Sequence, residues 1–210
     1  MRTLILTLAV VLLAAPVSMA VDITLEVVDG NQVVISYDAS AESPMLVRAF
    51  ALDVTAVDGN IIGITGYDAG DNNGRYGIFP GAFAAAPIAV NPTTGLVDNW
   101  AVAGYTPVAP AGDPDALGDI PGPGITIELG SLYEDNGPGA TGELCTIIVD
   151  GDVTEVCVTG NAIRGNVVLE DASEATTNVD VDPVCTTDFG GEECFPPGFA
   201  AYDDWVTMEK

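Results

Sequence analysis

Two short acidic stretches hold the residue types most suited to chemistry. "DAGDNNG" places Asp68, Asp71, Asn72 and Asn73 within six residues, and "GDPDALGD" places Asp113, Asp115 and Asp119 within seven. Calcium takes several hard oxygen ligands, and turns rich in Asp and Asn can bring them together. Neither stretch has the D-x-[DN]-x-[DN]-G pattern with a distal glutamate, so an EF-hand is rejected. The same residue types favour turns for backbone reasons alone. Each stretch therefore reads either as a Ca2+ site or as a solvated turn. Arg75 counts against a dense metal site at 68–73 and is placed to pair with Asp68 or Asp71.

Most catalytic chemistry is excluded by composition. The chain has no histidine, which removes Ser-His-Asp, Cys-His and histidine-metal constellations. Its single lysine is Lys210. A pair of carboxylates, as in glycoside hydrolysis, is what remains. Among 31 acidic residues some close pair is inevitable, so the signal has no specificity. The expectation is a protein that is not an enzyme and has no catalytic residues. Trp100 and Tyr105 lie in a Gly/Pro-rich middle with Tyr67, Tyr76 and Phe79. Their rings could stack on glycans, or could plug the ends of the core as most aromatics do.

Four cysteines, Cys145, Cys157, Cys185 and Cys194, in an exported chain read as two disulfides. Three pairings are possible. Cys145 and Cys157 sit symmetrically about Gly151, so a hairpin turning at Asp150-Gly151-Asp152 would oppose them. Cys185 and Cys194 would then close a small loop. Absence of a CxxC spacing and of histidine argues against a metal site at these residues.

Export is read from the start of the chain. Residues 1–20, "MRTLILTLAVVLLAAPVSMA", carry Arg2, an apolar run from Leu4 to Ala15, and a small-x-small site at Ser18-Met19-Ala20. This is the pattern of a secretory signal peptide. The run is too short to span a bilayer, and no later stretch qualifies. The mature chain is expected to begin at Val21 and to be secreted or held at the cell surface. It keeps four basic residues, Arg48, Arg75, Arg164 and Lys210, against the 31 acids. Such a surface repels nucleic acid and anionic lipid and attracts cations. Adaptation to a saline habitat and calcium binding are the two readings of this acidity.

The elements that must position these residues are strands. "DITLEV" and "QVVISY" alternate around "DGN" and form the clearest hairpin. "MLVRAFALDVTAV" puts Leu46, Phe50, Leu52 and Val54 on one face, with Arg48 sharing their parity. Arg48 is then either buried and paired, or turned outward by a bulge. "DGN" recurs before "IIGITGY". From Asp68 to Gly124 the chain is rich in Gly, Pro, Ala and Asn, with short strands and an exposed insertion expected around "APAGDPDALGDIPGPG". "ITIEL", "GELCTIIV", "TEVCVT" and "NVVLE" resume strand patterns. No segment keeps a 3.6-residue period for three turns. The expected fold class is all-β, an antiparallel β-sandwich of jelly-roll or immunoglobulin-like kind, with long Gly/Pro-rich loops and little helix. Residues 173–182 read as a polar linker and 183–210 as a disulfide-tied tail.

The strand order resembles the cohesin-like β-sandwich domains of secreted and surface-attached bacterial proteins. "ITLEVVDGNQVVISYDAS", "VRAFALDVTAVDGNIIGITGY", "GELCTIIV" and "IRGNVVLEDAS" carry the resemblance, over residues 22–172; the domain is set at 21–172. It implies a nine-stranded jelly roll that binds another protein module, often a dockerin. This chain has no dockerin-type calcium repeat, and its 68–124 segment departs from a compact cohesin. The tail "CFPPGFAAYDDWV" resembles the C-terminal stretch of some uncharacterised exported bacterial proteins, in which more Cys and Trp follow. Ending at Lys210, the chain reads as a truncated or divergent member. The expected function is a non-catalytic extracellular structural or surface-assembly protein: a surface-layer, adhesive or filament subunit, with Ca2+ fixing its loops. Its partners would be other copies of itself or another extracellular protein, docking on "VDITLEVV" or the tail around Trp205. The alternative is a carbohydrate- or protein-binding module of a larger extracellular system.

Overall fold

A computed structural model describes residues 20–67, 79–80, 106–130, 138–187 and 189. The expected leader up to Met19, the stretch 68–73, Trp100, Tyr105 and Cys194 lie outside the described residues.

Two antiparallel sheets pack face to face, so the chain is an antiparallel β-sandwich. The strands are β1 (Asp22–Val28), β2 (Gln32–Asp38), β3 (Leu46–Val57), β4 (Ile61–Thr65), β5 (Phe79–Pro80), β6 (Gly124–Gly130), β7 (Thr141–Val149), β8 (Glu155–Gly160), β9 (Val167–Glu170), β10 (Thr176–Val179) and β11 (Val184–Thr186). A 3-10 turn at Ser40–Glu42 is the helical piece among the described residues. No helix there is long and apolar enough to cross a membrane.

The smaller sheet has the order β1-β2-β7-β4. Its first hairpin forms in the register the alternation requires, with Ile23 opposite Tyr37, Leu25 opposite Ile35 and Val27 opposite Val33. Asp29 and Gly30 turn it with positive φ angles of 54° and 74°, within a short three-residue loop between the paired Val28 and Gln32. The larger sheet is centred on β3. One edge of β3 pairs with β6, and the other pairs first with β9 and then with β8. β10 extends β9, β11 extends β8, and β5 extends β6.

Alternation along these strands fills the core. Ile23, Val33, Ile35, Tyr37 and Ile147 from one sheet meet Phe50, Leu52, Val54, Ile125, Ile127, Leu129, Val156, Val158 and Leu169 from the other. The Tyr37 and Phe50 rings lie 4.9 Å apart, and the Tyr37 hydroxyl donates to the Gly139 carbonyl at 2.7 Å. Burial pushes the Tyr37 pKa up to about 12.

Three register shifts interrupt the ladders, at Val47/Ala49, Ile35/Ser36 and Ile61/Gly63, and the first two explain which residues face the core. The β3–β9 register slips between Val47 and Ala49. Val47 is therefore buried and Leu46 is left 43% exposed, against the sequence expectation for Leu46. Arg48 is the bulged residue, and it is also paired, forking onto both carboxylate oxygens of Glu170. A second slip, opposite Ile35 and Ser36, lets both Leu144 and Cys145 face inward on β7.

The Asp-Gly turns do different jobs. Asp29-Gly30 closes a hairpin, whereas Asp58-Gly59 and Asp150-Gly151 carry the chain from one sheet to the other. The two crossings are pinned together: Asn60 donates through its backbone N and through Nδ2 to Asp150 Oδ2, each at 3.0 Å. These bonds hold the Asp150 carboxyl below its usual range.

That geometry corrects the expected disulfides. β7 and β8 lie in different sheets, so Cys145 cannot oppose Cys157. Cys157 instead stands directly opposite Cys185 across β8 and β11, with Cα atoms 4.0 Å apart, and the two are bonded. Cys145 is a free thiol inside the core, its pKa pushed up to about 12 by burial. β11 belongs to the expected tail and β10 to the expected linker, yet both pair with sandwich strands. Polar side chains concealed this, because β10 is an edge strand with an exposed Thr176-Thr177-Asn178 run.

Candidate binding face

The outward face of the larger sheet gathers most of the organised polar side chains. Along β3 the residues between the core positions are Ala49, Ala51, Asp53 and Thr55. Along β6 they are Thr126 and Glu128. Asp53 and Thr126 are directly opposed, and Thr126 Oγ1 donates to Asp53 Oδ1 at 2.6 Å.

Two loops stand on this face. Residues 107–109 first run beside β6, where Ala109 N donates to the Thr126 carbonyl and Glu128 N to the Pro107 carbonyl. The chain then folds back over the sheet, and Leu117 N donates to Thr126 Oγ1 at 3.0 Å. Thr126 is thereby sealed at 0% exposure. The second loop, 161–166, arises because β8 and β9 pair with the same edge of β3 and the chain between them must leave the sheet plane. Gly165 and Asn166 take positive φ angles of 101° and 54° to make that turn.

Asn161 and Arg164 tie the loops together. Asn161 Nδ2 donates to the Asp53 carboxylate at 3.1 Å and to the Asp115 carbonyl at 3.0 Å. Arg164 binds Glu128 through Nη1, donates through Nη2 to the Pro114 carbonyl at 2.8 Å, and lies 3.8 Å from the Asp113 carboxylate. Arg164 Nε is buried without a hydrogen-bond partner.

Beside these loops lies a shallow depression of about 190 Å³. Ala49, Ala51, Gly130 and Val168 make its small apolar floor, and Glu128 with Arg164 stands at its side. The 161–166 loop carries Ile163, 74% exposed. Both arginines of the described residues are neutralised by carboxylates of this sheet, Arg48 by Glu170 and Arg164 by Glu128. The Arg48 guanidinium holds the Glu170 carboxyl below its usual range.

The acids proposed for calcium at 113–119 are used differently. Asp119 Oδ1 accepts from Ala111 N at 3.0 Å, Asp113 faces Arg164, and Asp115 offers its backbone carbonyl to Asn161. Their carboxylates do not converge on one point. Glu155, Cys157 and Cys185 do lie together, but both sulfurs are spent on the disulfide. Sequence reasoning missed Asp53, Asn161 and Arg164: Asp53 lies 108 positions from Asn161, and none of the three belongs to a motif.

No protein-family model matches the chain, and no curated protein matches it. A search of solved structures finds a chain of the CaDoc0917–CaCohA2 complex, crystallised at pH 5.5, at 11% identity and a TM-score of 0.40, covering 80% of this chain and 98% of that one. At that score the match carries no argument, and the β-sandwich rests on the strand pairing above.

Proposed function

We propose that this chain is a non-catalytic extracellular β-sandwich that works by self-assembly through the outward face of its larger sheet. One observation carries the reading. A chain of net charge −26 keeps a small-residue floor there, bounded by an internally neutralised ion pair. Two copies meeting through acidic patches would bring like charges together, which disfavours contact. The leader read from residues 1–20 and the Cys157–Cys185 bond support an extracellular location. Calcium at 68–73 enters as a further element of this proposal, as a cation that would fix a loop or screen neighbouring copies.

Sedimentation velocity of the full secreted chain across a salt series tests it, with and without Ca2+. Self-association is expected to rise with salt, because screening shortens the reach of the repulsion to about 10 Å at 0.1 M. Ile163→Asp, at an exposed position, should abolish association and leave the circular dichroism unchanged. A wild-type chain that stays monomeric at every salt and calcium concentration would refute the proposal.

A further inference from the structure

The Cys157–Cys185 bond ties two strands of the larger sheet, and a third ligand atom stands beside it. Cys157 lies on β8, directly opposite Cys185 on β11. Glu155 precedes Cys157 by two residues on β8 and so shares its face of the sheet. One of its carboxylate oxygens lies 3.0 Å from the Cys157 sulfur. The two sulfurs and a Glu155 oxygen all fall within 4.8 Å of one another. Glu155 and Cys157 are half-buried while Cys185 is exposed, so the group opens to solvent on the Cys185 side.

Two thiolates and a carboxylate at that spacing make a zinc ligand set. Zinc holds Cys sulfur at about 2.3 Å and carboxylate oxygen at about 2.1 Å in a tetrahedron, which sets neighbouring ligand atoms about 3.6–3.8 Å apart. Strand pairing fixes the backbones of both cysteines, so side-chain rotation reaches that spacing once the bond between the sulfurs is broken. Thiolate ligands select zinc, whereas calcium and magnesium prefer oxygen. No CxxC marks the group, because its cysteines meet across two strands from 28 positions apart. The net charge of −26 draws cations towards it. In a reduced, metal-free chain the Glu155 charge disfavours a thiolate beside it, and a bound divalent cation reverses that effect.

We propose that Glu155, Cys157 and Cys185 form a zinc site that oxidation closes and a dithiol reductant opens. The dithiol gives two electrons and two protons to the Cys157–Cys185 bond, which breaks, and is itself oxidised to a disulfide. Zn2+ then displaces the two thiol protons to solvent, with its fourth position open to water on the Cys185 side. The bond and the metal are alternative ties between β8 and β11, the first for an oxidising setting and the second for a reducing one.

The test uses the full chain, reduced with dithiothreitol and freed of it without air, with Co2+ as the spectroscopic probe. The reduced chain is expected to show thiolate-to-cobalt absorption that Zn2+ abolishes and Ca2+ does not, and the oxidised chain none. Cys157→Ser and Cys185→Ser should each lose the absorption, and Glu155→Gln should weaken the affinity. Cys194→Ser should change nothing, and Cys145 stays out of reach in the core. Zn2+ should also raise the urea midpoint of the reduced wild type, or restore its fold where reduction has lost it, and do neither for Cys185→Ser. A reduced wild type without the absorption, or whose stability Zn2+ leaves unmoved, would overturn the site, as would absorption that survives both serine variants.

Discussion

Thr126 stands opposite Asp53 on neighbouring strands, and its hydroxyl joins the Asp53 carboxylate to the backbone of the loop that covers it. Thr126 thus joins the 110–120 loop to the sheet, beside the ties that Asn161 and Arg164 make to it. Removing the hydroxyl strips a donor from Asp53 and an acceptor from Leu117 N in a sealed place. Thr126→Val is expected to cost about 2 kcal/mol. Urea denaturation measures that loss, and amide exchange should show faster exchange at Leu117. Unchanged exchange there would mean the loop is held by Asn161 and Arg164 alone.

The Arg48–Glu170 pair makes stability depend on pH. Glu170 has a lowered folded-state pKa, caused first by the hydrogen bond from Arg48. A lowered carboxylate pKa stabilises the fold fully above the ordinary glutamate range. That contribution is lost as pH falls through the folded value. Both side chains are only 11% exposed, so breaking the pair is costly. Glu170→Gln should destabilise by about 3 kcal/mol at pH 7. At acid pH, with Glu170 protonated in the wild type, the two proteins should converge. A constant gap between their urea midpoints from pH 7 to pH 3 would contradict this.

Loss of the Cys157–Cys185 bond should have a measurable energetic cost. Opening a 28-residue separation should lower stability by about 3–4 kcal/mol in the chain-entropy picture. Thermal melts of Cys157→Ser, compared with the oxidised wild type, report it. Thiol counting adds a second check, because Cys145 should stay unreactive in the native chain and react only after denaturation.

The two crossing turns differ in the room they leave for a side chain. A Cβ at Gly59 would strike the Asp150 carboxylate and approach Val153 Cγ2 to 2.7 Å. Gly59→Ala is therefore expected to cost about 2 kcal/mol. Gly151, with open space around its Cβ direction, should accept alanine with little change in denaturation midpoint.

Strand identity was readable wherever alternation was clean, as in the β1–β2 hairpin and in β6, where Ile125, Ile127 and Leu129 face the core. It was misread where a bulge changed the parity. Leu46 and Val47 exchanged roles because one extra residue at Arg48 turns the strand, and nothing local to "LVRAF" announces that slip. The candidate face was harder still. Asp53, Thr126 and the Asn161–Arg164 loop come from three separate segments, each polar residue looking like an ordinary solvent-side position.

Composition and period by themselves settled the all-β class and the lack of histidine chemistry, because burial and alternation are local properties of a strand. Only the tertiary structure decided what each Asp-Gly turn does. The same dipeptide closes a hairpin at Asp29-Gly30 and crosses between sheets at Asp58-Gly59 and Asp150-Gly151. A turn of that kind reverses the chain cheaply in either case. Which sheet receives the next strand depends on the hydrogen-bonding edge that stands open for it. For β8 that edge was on β3, not on β7. This placed Cys157 opposite Cys185 and left Cys145 inside the core.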